Sequence, residues 1–509
     1  MKRKHWLVVA GALSLLYLVF LLYYADVRGI DADEGFYPTA ARLTWEGKIP
    51  YRDFMFSQGP LMPYVYGWIW AVHPHSLVSM RFLSVTLGAV TVFLWGFCLF
   101  SVKQLRGSVA LAMFLLILLN PYWISWHTVV KTFAVADLLM SAALICLYLG
   151  IHSGRARWYV AAGVALGFCA SVRALYGPLV PFVAVWLALL DWRQSEPGFR
   201  RTAAYVGGAV CGLLPMLLSF AADPAAFLFN SFRYRRILDT YVNNTYLNPS
   251  FSEVIHMHLA GIYELLRRRF FALEVLLALV GIISFLKLRK KKDGPWIRED
   301  YQFLLLAFLM MAVYSATALI PIPTWAQYYD APLLPFLIFF IAEGIRIAFQ
   351  ASWKWALVLG ILVPFFCWRN TLSEVGVRLP LQSYHQVAEI VRANSSPNAV
   401  VLSIWPGYVF ESGRKCFPGG ENEFGYMASE RLSPEVRERY HLISREEVLR
   451  ALSAGVPDVF IADSLRRYVP MSDVEYQAIE NAVNANYSLV RKVDDAPIYR
   501  KKTVTRDVQ

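Results

Sequence analysis

His5-Trp-Leu-Val-Val-Ala-Gly-Ala-Leu-Ser-Leu-Leu-Tyr-Leu-Val-Phe-Leu-Leu-Tyr-Tyr-Ala25 contains no Asp, Glu, Lys or Arg, and the acidic stretch Asp31-Ala-Asp-Glu-Gly-Phe-Tyr37 follows close behind it. A bilayer offers no hydrogen-bond partner to a bare backbone amide, so a spanning segment is a helix of roughly 20 apolar residues. The run 5–25 meets that length. Lys2, Arg3 and Lys4 precede it, as in a signal peptide, but the run exceeds a typical signal core and no small-x-small cleavage site follows. It reads as a retained first span. Ten more runs free of the four charged residue types cover 82–102, 107–130, 138–154, 158–172, 174–190, 202–222, 275–286, 301–329, 331–342 and 355–368. The expectation is a polytopic α-helical membrane protein with about eleven spans.

Composition agrees. Of the 509 residues, 57% are hydrophobic and only 17% charged, against about 25% charged in a soluble chain, so the soluble-enzyme class is excluded. The mean hydropathy is +0.42. A formal charge of +12 raises the question of nucleic acid, but most Lys and Arg sit in short loops between apolar runs, a topology signal, and no nucleic-acid partner is expected. Placing Lys2, Arg3, Lys4, Lys103, Arg106, Arg155, Arg157, Arg193, Arg200, Arg201, Lys287, Arg289, Lys290, Lys291, Lys292, Arg346 and Lys354 in the cytoplasm is self-consistent. That puts the N-terminus inside and the C-terminal part outside an inner membrane. Five of the six cysteines lie in apolar runs, and there is no CxxC and no disulfide framework.

Three outer segments are long: 26–81, 223–270 and the tail. The expected organisation is a multi-span domain over 1–370 and a soluble extracytoplasmic α/β domain over 371–509. The uncharged segment 54–80 holds Gly59-Pro60, Pro63, Gly67 and His73-Pro-His75, and reads as loop plus interfacial helix. In the tail, 383–394, 445–453 and 473–486 read as helices, and 399–405 and 457–462 as strands.

The chemistry-bearing residues cluster near the outer surface. Asp33 suits the N-cap of a helix over 37–45, with Glu34 favouring its dipole. Carboxylates beside a membrane are costly to dehydrate, so they are either solvated or functional. Asp31-Ala-Asp33 has the D-x-D form, whose oxygens suit Mg²⁺ or Mn²⁺; no other cofactor is indicated, and no Walker or Rossmann fingerprint appears. Lys131 follows His127 by four residues, placing both on one face if a helix includes them. Arg173 stands between two apolar runs. Each of Lys131 and Arg173 is a site cation or snorkels to head groups. Arg233, Arg235 and Arg236, with Arg267-Arg-Arg269, are basic clusters on the outer side, suited to a lipid phosphate or to anionic head groups of membrane lipids. Asp137 and Glu274 are acids within spans; Asp137 is placed to line the same cavity, and Glu274 is expected to reach water at a span end.

The first outer loop continues through Ile49-Pro-Tyr-Arg-Asp-Phe54, Ser57-Gln-Gly-Pro-Leu61, Tyr64 and Tyr66-Gly67 to Arg81 at the start of the second span. With Asp33-Glu34, this run resembles the first outer loop of the GT-C superfamily, in its protein O-mannosyltransferase and lipid A aminoarabinose transferase branch. Pro323-Thr-Trp-Ala-Gln-Tyr-Tyr-Asp-Ala-Pro-Leu-Leu-Pro335 is similar to that branch's late outer loop. The resemblance covers roughly 5–370. Gln58-Gly-Pro60 departs from a Lys-Pro-Pro-like run of many relatives, which puts a donor-contacting lysine there in doubt.

The resemblance implies an inverting transfer of a sugar from a polyprenyl-phosphate donor to an extracytoplasmic lipid, glycan or protein acceptor. Asp33 takes the acceptor proton and Glu34 assists or orients. The leaving phosphate calls for cations, drawn from Lys131, Arg173, Arg233, Arg235 and Arg236. Arg81, His127, Asp137, Gln327 and Tyr328 are the candidate cavity residues, and Asp31 with Asp33 the candidate metal ligands. The alternatives are a flippase or transporter for lipid-linked glycans, which calls for midplane polar groups and related halves, and a non-catalytic assembly protein.

Overall fold

The computed structural model describes residues 3–102, 107–194, 197–234, 236–237, 250–288, 298–319, 329–372, 377–463, 465, 469 and 471–502. Among the described residues, eight helices are long and apolar enough to cross a membrane: His5–Val27, Leu77–Ser101, Thr132–Ser153, Ala174–Arg193, Arg200–Ala222, Arg269–Leu286, Glu299–Ala318 and Leu334–Ala351. Three shorter apolar helices, Gly107–Leu118, Ala156–Val172 and Lys354–Trp368, occupy the remaining runs. The protein is a polytopic helical membrane protein with a small α/β domain at its C-terminal end.

One expected helix is corrected. The run 107–130 is not one span: its first helix ends at Leu118. Asn120 then accepts from the amides of Tyr122 and Trp123, both at 2.9 Å, and caps a separate short helix, Pro121–Trp126. An Asn N-cap followed by Pro is a helix start, and it overrides the unbroken apolar pattern. In the run 301–329 the described helix is Arg298–Ala318, and 320–328 lie outside the described residues.

The chain divides into two compact units: Met1–Asp26, Arg81–Leu217 and Tyr246–Val375 form one, and Val27–Met80, Leu218–Thr245 and Gly376–Gln509 the other. In the first unit, glycines let helix backbones touch. A Cβ on Gly163 would stand 2.1 Å from the Tyr205 carbonyl, and one on Gly208 2.1 Å from the Val160 carbonyl. The helices 156–172 and 200–222 thus cross on a Gly-x-x-x-Gly pair from each side, with Gly167 and Gly212 completing it. Between spans, where lipid tails are as apolar as Leu, close packing of small residues is a main source of association. Gly281 and Gly344 make the same reciprocal contact between helices 269–288 and 334–351. The helix Phe251–Arg267 starts on a Ser250–Glu253 capping box and leaves Ile255, Leu259, Ile262, Tyr263 and Leu266 exposed along one face, an interfacial pattern.

In the second unit, helices Phe36–Trp45 and Leu61–Val72 pack together, with Gly67 against the Ala41 carbonyl. Tyr64, Trp68 and Val72, four apart, face outward. Strands β1 (Ile30–Asp31) and β2 (Val377–Leu379) pair antiparallel, joining the first loop to the tail. The tail's sheet contains β3 (Val400–Ser403), β4 (Lys415–Cys416), β5 (Val459–Ile461), β6 (Tyr487–Val493) and β7 (Ala496–Lys501), in the order β4-β3-β5-β7-β6. β3 is parallel to β4 and β5, whereas β7 runs antiparallel to β5 and β6. Leu402 and Phe460 from the sheet meet Leu452, Ile479 and Val483 from helices Arg445–Ser453 and Asp473–Asn486 in one core. Both helices begin on Ser-x-x-Glu capping boxes, at Ser444 and Ser472. The middle segment ties in through Asn230, whose Oδ1 accepts from the Phe56 amide at 3.1 Å, and through Phe229, stacked on Tyr440 at 3.9 Å.

Candidate active site

The acidic stretch forms a tight turn in the second unit. The Asp31 side chain accepts from the Asp33 amide at 3.0 Å, and Glu34 Oε2 accepts from the Asp31 amide at 2.9 Å. Asp31 is therefore the N-cap of the 3-10 turn Ala32–Glu34, closed by a reciprocal capping box. This corrects the expected cap: helix Phe36–Trp45 starts at Gly35, with no side-chain cap, and Asp33 does not fill that role. Asp31 (2% exposed) and Glu34 (0%) are buried, whereas Asp33 is only partly buried. Of the three carboxylates, Asp33 is the least buried.

Asp31 is turned onto a backbone amide, and no group of three or more His, Cys, Asp or Glu side chains able to hold a metal forms among the described residues.

The first unit buries a separate polar cluster. His127 closes the short helix 121–126 and Lys131 precedes helix Thr132–Ser153, so the two do not share a helix. The irregular stretch between them still serves both. His127 Nε2 lies 3.0 Å from Asp137 Oδ2, and both side chains are fully buried. The His127 ring lies against Gly88, where a Cβ would come within 2.6 Å of Nδ1. Lys131 Nζ sits 4.6 Å from the centre of the Trp126 ring. Arg173, in extended backbone at the end of helix Ala156–Val172, holds its guanidinium 4.4 Å from the Phe133 ring centre. Cations over aromatic faces gain most where water is excluded, and Lys131 and Arg173 are each only 5% exposed.

Asp330, also buried, receives Arg268 Nη1 at 2.5 Å and the Trp126 indole N–H at 3.2 Å. Burial pushes its carboxyl up to about 6, against the pull of the Arg268 charge and the indole. Glu274 does not reach water as expected: it is fully buried and accepts from Asn120 Nδ2 at 2.7 Å. Asn120 thus caps one helix with its oxygen and binds Glu274 with its nitrogen.

Arg81 is fully buried and donates to the Ala25 carbonyl at 2.9 Å, tying the end of the first span to the start of the second. Arg233 and Arg236 are exposed. Arg235, Gln327 and Tyr328 lie outside the described residues. Sequence reasoning missed Asn120 and Asp330. The Asn-Pro step at 120–121 is a readable break signal, whereas nothing in the stretch 323–335 sets Asp330 apart.

No family model and no curated protein matches the chain. Solved structures do. The crystal structure of ArnT from Cupriavidus metallidurans bound to undecaprenyl phosphate superposes with a TM-score of 0.65 at 15% identity, over 99% of both chains. The apo form of that protein gives 0.52 at 14% identity, over 97% of this chain and 98% of the other. The Archaeoglobus fulgidus oligosaccharyltransferase, solved with Zn and sulfate, gives 0.52 at 13% identity, over 95% of this chain and 71% of its own. At identities this low the likeness is one of architecture: this chain shares the fold of these solved structures.

Proposed function

We propose that this protein is an inverting glycosyltransferase of the cell membrane that moves a sugar from a polyprenyl-phosphate carrier to an acceptor hydroxyl on the extracytoplasmic face. The observation that carries the reading is the turn 31–34, which buries two carboxylates in its own scaffold and leaves the third, Asp33, accessible. The GT-C fold and a neighbour bound to undecaprenyl phosphate support the donor class.

In this reading the acceptor O–H gives its proton to Asp33 as its oxygen bonds to the anomeric carbon. The anomeric carbon–phosphate oxygen bond breaks on the opposite side, and its electron pair leaves with the polyprenyl phosphate. The configuration inverts once. Lys131 and Arg173 are the first unit's proposed contacts to a polyprenyl phosphate, and their low exposure makes each charge count for more than it would in water. His127 and Asp137 hold the stretch that carries Lys131. Exposed Arg233 and Arg236 suit recruitment of the anionic head group. The loops 26–81 and 223–270 and the domain 371–509 are assigned to the extracytoplasmic side, with the N-terminus in the cytoplasm.

The test is purified protein in liposomes with undecaprenyl-phospho-glucose, -mannose and -aminoarabinose, and a membrane extract as acceptor source. Mass spectrometry reads which carrier loses its sugar. Asp33→Asn is expected to lower transfer by about 10²–10⁴-fold, the range for losing a general base, at normal membrane abundance. Retained activity excludes Asp33 as the base.

A further inference from the structure

We infer that Trp405, from the C-terminal domain, is a positioning residue for Asp33, so that this domain is part of the catalytic apparatus; the inference rests on the Asp33 reading above. Trp405 is fully buried, and its indole N–H donates to the Ala32 carbonyl at 2.7 Å. The Ala32 carbonyl and the Asp33 amide belong to one rigid peptide plane. Trp405 holds the oxygen end of that plane, and the Asp31 carboxylate holds the N–H end at 3.0 Å. The axis on which the Asp33 side chain is carried is therefore fixed from both ends.

The far side of the turn is fixed by the same ring. A Cβ on Gly35 would stand 2.4 Å from Trp405 Nε1, so Gly35 is the residue that lets the indole lie flat against the chain. Trp405 thus brackets Asp33 and Glu34, touching the residues immediately before and after them. The ring is itself held by Tyr408 and Tyr384, with centroids at 4.9 and 5.8 Å. Two further tail contacts frame the turn: β2 pairs with β1 immediately before it, and Phe424 meets Phe36 immediately after it at 5.7 Å. A domain that only captured acceptor would have no need to bond the backbone of the catalytic turn. Placement of a reacting group is worth orders of magnitude in rate.

The experiment compares wild type, Trp405→Phe, and a variant carrying 3-benzothienylalanine at position 405, which keeps the ring shape and lacks the N–H. His441→Ala serves as a control. It removes a contact between tail and loop, His441 Nε2 to the Arg52 carbonyl at 2.7 Å, away from the turn. With the three undecaprenyl-phospho-sugars above, both position-405 variants are expected to lose about tenfold in kcat at unchanged KM, the benzothienyl variant at an unchanged thermal midpoint, while His441→Ala keeps its kcat. Hydrogen exchange, which needs no substrate, is expected to quicken about tenfold over residues 28–37 in both variants and to stay unchanged over 445–453. Wild-type kcat in the benzothienyl variant, or unchanged exchange over 28–37, overturns the inference even where Asp33→Asn is inactive. An active Asp33→Asn removes the underlying reading instead.

Discussion

At the scale of single residues, burial decides more than pairing does. Asp330 has an arginine at 2.5 Å, yet its carboxyl sits at about 6, because removal from water outweighs the ion pair. Its folded value lies above the ordinary one, so the folded protein takes up this proton before the unfolded chain does. Stability therefore rises as pH falls from about 6 toward 4, while the bond to Arg268 is lost over the same window. Asp330→Asn is expected to flatten the dependence of the thermal midpoint between pH 6 and 4, measured in detergent for both proteins. An unchanged slope would show that Asp330 does not titrate there. A charge in or beside an apolar run stands out, which makes Asp33, Lys131, Arg173 and Asp137 candidates from sequence alone. It could not identify Trp405, since one buried tryptophan in a soluble-looking domain is indistinguishable from core. Nor could it tell that Asp31, rather than Asp33, caps the turn: a cap depends on which amide a carboxylate turns toward.

At the scale of elements, the sequence showed most of the helices and little of how they meet. The tail helices at 445–453 and 473–486 were readable to the residue, because Ser-x-x-Glu boxes open them. The hairpin β6–β7 was not, and the strand β2 gains its identity from a partner far away in the chain. The glycine crossings were equally hidden. Gly163, Gly167, Gly208 and Gly212 look like ordinary small residues until the helices are seen backbone to backbone. Gly208→Val forces those backbones apart and is expected to cost about 1–3 kcal/mol, the usual scale of overpacking. Gly207→Val is the matched control, since no atom lies within 4 Å of a Cβ there. A fall in thermal midpoint for Gly208→Val alone supports the crossing; equal effects argue against it.

At the scale of the molecule, the second unit is assembled from three stretches of chain with whole membrane helices between them. A chain ended after Val375 would lack β2, Trp405 and Phe424, and so every tail contact with the turn described above. In such a chain the segment 27–80 is expected to be cut by protease at least about tenfold faster than in the full chain, with the helices of the first unit equally resistant in both. Equal cutting of 27–80 would show that the loop folds without the tail. This dependence was illegible in the sequence, where the tail is set off by its even charge and looks self-sufficient.

The bond between Trp405 and Ala32 joins positions 373 residues apart. The ribosome therefore makes the carboxylate early and its support late. On the proposed assignment, a copy abandoned during synthesis owns the reactive group without the frame that aims it. On that assignment an incomplete copy turns over at least about tenfold more slowly than a finished one.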